Sequence, residues 1–158
     1  MSPLLGCFAF SLIAVLICVG VHYEGLQFAS WSIKLVGRRR LRVALGIVLV
    51  LMLHVVEVTM FAGGWWVLML TTDQVLSIPD PHFEDVLYFS FITYTSVGYG
   101  DITPVGLGRM LAGTEALIGL VLIAWTASFT FYEMQLYWDP RAERKLKQAA
   151  KSASLKQE

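Results

Sequence analysis

The chain has 158 residues, of which 56% are hydrophobic and 15% are charged, with 12 basic and 12 acidic side chains in balance. Soluble domains carry about 25% charged residues, so this composition belongs to a membrane protein. A net charge of zero gives no reason to expect nucleic acid or another polyanion as partner. No nucleophile–base set, phosphate loop or metal-ligand cluster stands out, which argues against an enzyme. Cys7 and Cys18 lie in an apolar run and read as packing residues, neither a disulfide nor a metal site.

Pro3 to Val21 is apolar, uncharged and long enough to span hydrocarbon. It lacks a basic n-region and a clear small-x-small cleavage site, so the expectation is a retained helix, not a signal peptide. Glu24 to Arg42 reads as a connector: Leu26, Ala29, Ile33 and Val36 recur at helical spacing, which predicts a short helix lying on the membrane surface with Trp31 at the interface. Arg38, Arg39, Arg40 and Arg42 follow. Voltage-sensing arginines would recur every third residue within a span; contiguous ones at its edge read as a topology anchor on anionic lipid. Residues 1–42 thus form a first unit.

Val43 to Leu70 predicts an outer membrane helix, with Trp65 and Trp66 as an interfacial belt. Pro79-Asp80-Pro81 then predicts a stop and restart, with Asp80 as N-cap and Pro81 in the first turn of a short helix over residues 82–95. Its dipole would aim partial negative charge at whatever follows. From Thr71 to Gly108 there are five carboxylates (Asp73, Asp80, Glu84, Asp85 and Asp101) and no Lys or Arg, a field that concentrates cations. Thr95-Ser96-Val97-Gly98-Tyr99-Gly100-Asp101 comes next. Irregular backbone at membrane depth survives only buried in protein or lining a watery cavity. Glycine admits positive φ, so alternating backbone hands can aim successive carbonyls at one axis. About four such loops would make rings of oxygens that replace the water shell of a cation.

Arg109 to Tyr137 predicts an inner helix, with Trp125, Tyr132, Tyr137 and Trp138 toward lipid or interface; Arg109 is a candidate partner of Asp101. Gly119 suits close helix approach. The tail, residues 139–158, holds six Lys/Arg against three acids. With Arg38–Arg42 it predicts both ends of the two-helix unit on the cytoplasmic side. His54 and Glu57 share a helix face, and Glu115 falls at similar depth. Ionisable groups in hydrocarbon pair or serve function, so the three read as a structural or gating cluster with His54 bonding Glu57 or Glu115.

TSVGYGD resembles the filter signature TVGYGD of the tetrameric pore-loop potassium channels. The resemblance runs from about Val43 to Tyr137 and implies an all-α membrane protein: three transmembrane helices, a re-entrant pore helix and a selectivity filter. It implies a pore domain over residues 43–138, divided into outer helix 43–70, pore helix 82–95, filter 96–100 and inner helix 109–137. It further implies a homotetramer in a plasma membrane, prokaryotic by expectation, conducting potassium ions. By the same resemblance Ser96, Val97, Gly98, Tyr99 and Gly100 form the filter, with K+ at the first four. Thr95, Asp101, Tyr88 and Phe89 support it; Gly119 matches a gating hinge; Leu120, Ile123 and Ala127 line the cavity. Departures are Ser96 for threonine, Tyr88 and Phe89 for two bracing tryptophans, and Ile92 where some members bury a glutamate. Those departures leave a second expectation open: a non-conducting or weakly selective cation-channel subunit.

Overall fold

The computed structural model describes residues 3–72 and 75–138. Four helices follow one another: α1 (Pro3–Lys34), α2 (Arg39–Thr71), α3 (Phe83–Tyr94) and α4 (Gly108–Trp138). Three of them, α1, α2 and α4, are long and apolar enough to cross a membrane. At about 1.5 Å per residue each exceeds the roughly 30 Å hydrocarbon core, so they tilt or protrude. The short α3 packs on α2 and α4, while α1 lies against α2 and α4 from outside. The core between them is apolar, with Val58, Phe61, Leu111 and Leu122 nearly solvent-free.

The connector differs from its expectation. No surface helix forms; α1 runs unbroken through Lys34, and the chain turns over residues 35–38. Leu26, Ala29 and Ile33 are buried, the first two against Val50 of α2 with Leu49, Leu53 and Phe129 beside them. Their helical stripe therefore faces protein, not headgroups. Nothing between His22 and Lys34 breaks a helix except Gly25, and there the missing Cβ makes room for the Leu53 side chain. The turn is held by Arg42, whose Nε donates to the Val36 carbonyl.

The start of α3 also differs. Asp80 is not the cap: it adopts φ +44° in the preceding loop. His82 is the N-cap residue, and its backbone N–H donates to Asp85 Oδ2 at 2.9 Å. Positive φ at Asp80 is not the extended backbone that an N-cap needs, whereas His82 has it, with φ −84° and ψ 164°. Before α3, residues 75–77 pair with the chain beyond the 95–101 loop. Ser77 N donates to Thr103 O at 2.9 Å and Val105 N to Val75 O at 2.8 Å. This clasp ties the entry and exit of the re-entrant segment.

Gly119 sits where an added Cβ would strike the backbone carbonyl oxygen of Tyr94. Close approach of α4 to the end of α3 thus requires glycine here, whatever its role in bending. A backbone atom cannot swing aside, so Gly119→Ala is expected to cost about 1–3 kcal/mol by overpacking. Gly113 meets nothing within 4 Å, making Gly113→Ala the control. Thermal melting in detergent should fall for the first variant and hold for the second.

Candidate functional site

The site begins where α3 runs out of helix. Its last carbonyls take the first N–H groups of the loop: Thr95 N donates to Phe91 O at 3.2 Å, Ser96 N to Thr93 O at 2.9 Å, and Gly98 N to Ile92 O at 3.0 Å. Thr95 Oγ1 donates to Phe91 O at 2.7 Å. Positive φ then recurs at alternate residues: Ser96 at 58°, Gly98 at 53° and Gly100 at 80°. Two of the three are glycines, which enter this region without penalty. Ser96 enters it at about 1–2 kcal/mol. In a single chain Val97 and Tyr99 are exposed, Tyr99 to 74%.

One side chain of α3 reaches forward to the loop: Tyr88 Oη donates to Asp101 Oδ2 at 2.8 Å. This bond holds the Asp101 carboxyl below the ordinary carboxylate range. A depressed carboxyl contributes stability above its unfolded pKa and loses it as pH falls toward the folded one. Tyr88→Phe is therefore expected to move the acid loss of this stability to higher pH, toward the ordinary value of about 4. Thermal melting down an acid series checks the direction. Phe89 turns the other way, its ring edge-on to Trp65 at 4.9 Å and 88°, and Ile92 is buried among apolar neighbours. Arg109 does not reach Asp101; its Nε points to Pro104 O at 3.5 Å.

Behind α3 lie two buried polar networks. In the first, Glu115 of α4 accepts from Ser90 Oγ at 2.5 Å and from Trp65 Nε1 at 2.7 Å. Ser90 Oγ also lies 2.9 Å from Val58 O. Trp65 is thus no interfacial belt: it is fully buried, because its indole N–H finds a carboxylate inside. Trp66 stays partly exposed, against Phe83. In the second network Glu57 gathers three helices. His22 Nδ1 lies 2.7 Å from its Oε1, His54 Nδ1 2.9 Å from its Oε2, and Tyr94 Oη donates to Oε2 at 2.5 Å. His54 therefore pairs with Glu57, and Glu115 belongs to the other set.

His22, Tyr94, Ser90 and Trp65 were not legible as partners from spacing, since each lies on a different helix from the carboxylate or far along the same fold. The usable signal was the indole N–H, which in a dry core requires an acceptor. Leu120, Ile123 and Ala127 lie exposed on α4. Trp125 is half-turned inward, its ring 5.1 Å from that of His22. Asp73, the side chains of Tyr137 and Trp138, and the basic tail lie outside the described residues.

The family model described as "Ion channel" matches residues 49–135, more than half of the chain. Among curated proteins, the chain is 47% identical over 58 residues to "Protein LctB" of Bacillus caldotenax, covering 37% of this chain and 40% of that one. It is 50% identical over 50 residues to "Protein LctB" of Geobacillus stearothermophilus, covering 32% and 37%. It is 30% identical over 112 residues to "Inward rectifier potassium channel Kirbac3.1" of Paramagnetospirillum magnetotacticum, covering 70% and 32%. The chain thus spans at most two fifths of the length of these relatives. No solved structure matches it.

Proposed function

The chain belongs to the ion channel family, and from that premise we propose that it forms a homotetrameric, potassium-selective pore in a bacterial cell membrane. The observation that carries this reading is the left-handed backbone at Ser96, Gly98 and Gly100 in alternation. Such alternation turns successive carbonyls of Ser96, Val97, Gly98 and Tyr99 toward one side. Four copies about an axis would stack them into rings that replace the hydration shell of K+, with the Ser96 hydroxyl at the inner end. Gly100 closes the filter and Asp101 sits at its mouth. Thr95, Tyr88 and Asp101 support it through the bonds described above, whereas Phe89 supports it only by packing behind α3.

The exposed Leu120, Ile123 and Ala127 would line the cavity below, at the dipole end of α3. Arg38–Arg42 would hold the α1–α2 turn at anionic headgroups on the cytoplasmic side, leaving the filter mouth outside. Closed cyclic symmetry is the usual way to complete such a ring. The similarity to a relative named as a potassium channel supports the choice of ion.

A second reading, a weakly selective or non-conducting subunit, is favoured by one observation. Phe89 and Ile92 send no hydrogen bond to the filter, so Tyr88–Asp101 is the one side-chain bond from α3 to residues 96–101 among the described residues. Purified protein in potassium-loaded liposomes separates the two. The proposal expects potassium efflux that barium blocks and a native mass of four chains. Tetramers without efflux across pH and voltage would favour the second reading.

A further inference from the structure

Two of the three histidines meet in the core, on a carboxylate, and nothing in the conduction path uses them. His22 of α1 is fully buried, as is Glu57 of α2, and the His54 side chain keeps only 15% exposure. We infer that His22, His54 and Glu57 form a transition-metal site of the zinc type, with the Tyr94 hydroxyl at its fourth corner. The sequence alone hid it, because 32 residues separate the two histidines in the chain and only the packing of α1 on α2 unites them.

The geometry is close to what such an ion asks. One ligand atom from each of His22, His54 and Glu57 lies within 4.8 Å of the others. Tyr94 Oη lies 3.0 Å from His54 Nδ1 and 2.5 Å from Glu57 Oε2. Zinc holds nitrogen and oxygen at about 2.0–2.2 Å in a tetrahedron, which sets neighbouring ligand atoms roughly 3.3 Å apart. The hydrogen-bonded contacts, now 2.5–3.0 Å, would open by about 0.3–0.8 Å. Ligand chemistry selects the ion. Two imidazoles with one carboxylate suit zinc, cobalt, nickel or copper, whereas potassium, magnesium and calcium take all-oxygen shells.

Two further observations point the same way. Among the described residues neither His22 Nε2 nor His54 Nε2 has a hydrogen-bond partner, although both are buried. Each ring meets the carboxylate through Nδ1 instead, at 2.7 and 2.9 Å, so both Nδ1 atoms already face the centre. Metal binding moves each proton to Nε2, and a metal bond from the Nδ1 lone pair replaces the hydrogen bond. Charge is the second. A carboxylate at membrane depth is costly unless it is paired or serves a function. A dication would be held by the Glu57 carboxylate and the two imidazoles, with the Tyr94 hydroxyl as a neutral fourth donor, so that binding takes up one M2+ and releases no proton. The metal would clip α1, a helix outside the matched channel segment, onto α2 and the end of α3.

The test uses the full chain purified through a tag without histidine, first stripped with chelator. Co2+ is titrated in as the probe, and zinc per chain is then read by mass spectrometry after dialysis. The expected result is the visible band of tetrahedral Co2+ saturating at one ion per chain, displaced by Zn2+. His22→Gln and His54→Gln keep a donor for Glu57 but lack the imidazole, and should lose the band with helicity unchanged. Tyr94→Phe should keep a tetrahedral band, with water in the fourth position, and bind more weakly. Absence of the band in the unaltered chain, which needs no variant to fold, would overturn the site. So would a band that survives both histidine replacements.

Discussion

Gly98→Ala is expected to abolish potassium flux while leaving the chain folded and assembled. Gly98 holds φ +53°, and its N–H is committed to Ile92 O at 3.0 Å, so the peptide cannot rotate away without breaking the link to α3. Within one chain a Cβ here meets nothing within 4 Å. The fold therefore pays only the left-handed penalty of about 1–2 kcal/mol, too little to unfold a protein of this size. Relaxing that strain means moving Gly98 toward ordinary φ, which turns a carbonyl out of the stack. Conduction needs every ring intact, so a modest local cost becomes a loss of function. Liposome flux checks it, with native mass confirming assembly. Gly98→Ala protein that carries potassium at the unaltered rate would show that the alternation at 96, 98 and 100 is not what lines the pore.

Glu115→Ala is expected to give a large loss of stability. It strips Trp65 Nε1 and Ser90 Oγ of a shared acceptor in a site without solvent. Ser90 keeps Val58 O within reach, but Trp65 is left with a buried, unpaired N–H. That orphan costs about 1–3 kcal/mol, and the vacated volume adds to it. Hydrogen bonds between membrane helices average only about 0.6 kcal/mol, because the separated helices also find partners. The orphaned donor, rather than the lost bonds, should thus dominate. Pairing Glu115→Ala with Trp65→Phe removes donor and acceptor together and should recover part of the loss. Thermal melting of the single and double variants decides. A double variant as unstable as the sum of the singles would mean that the two side chains do not act as a pair. The same carboxylate joins α4 to the middle of α3, so Glu115→Ala should also loosen the filter's footing.

Local chemistry was readable from the sequence, and long-range pairing was not. The Gly98-Tyr99-Gly100 run announced positive φ because only glycine takes it freely, and the structure has that sign at both glycines. The His54–Glu57 contact followed from three-residue spacing on one helix face. By contrast, the partners of Glu57 and Glu115 depend on how α1, α2, α3 and α4 rotate and at what depth they cross. His22 lies 35 residues from Glu57, and Trp65 lies 50 from Glu115. Trp65 looked interfacial because tryptophan commonly is, yet a buried carboxylate captured its N–H. The α1 extension was misread because Leu26, Ala29 and Ile33 carry the same stripe whether a helix lies on lipid or on protein. Asp80 lost the cap to His82 because its backbone takes positive φ, away from the extended geometry a cap needs.

The most direct test of the account is the bi-ionic potential across a bilayer holding the purified chain, with potassium on one side and sodium on the other. A potential near the potassium limit, collapsing when barium is added, is the predicted result. A potential near zero with measurable current would contradict it, because a stack of oxygen rings matched to potassium does not pass sodium equally.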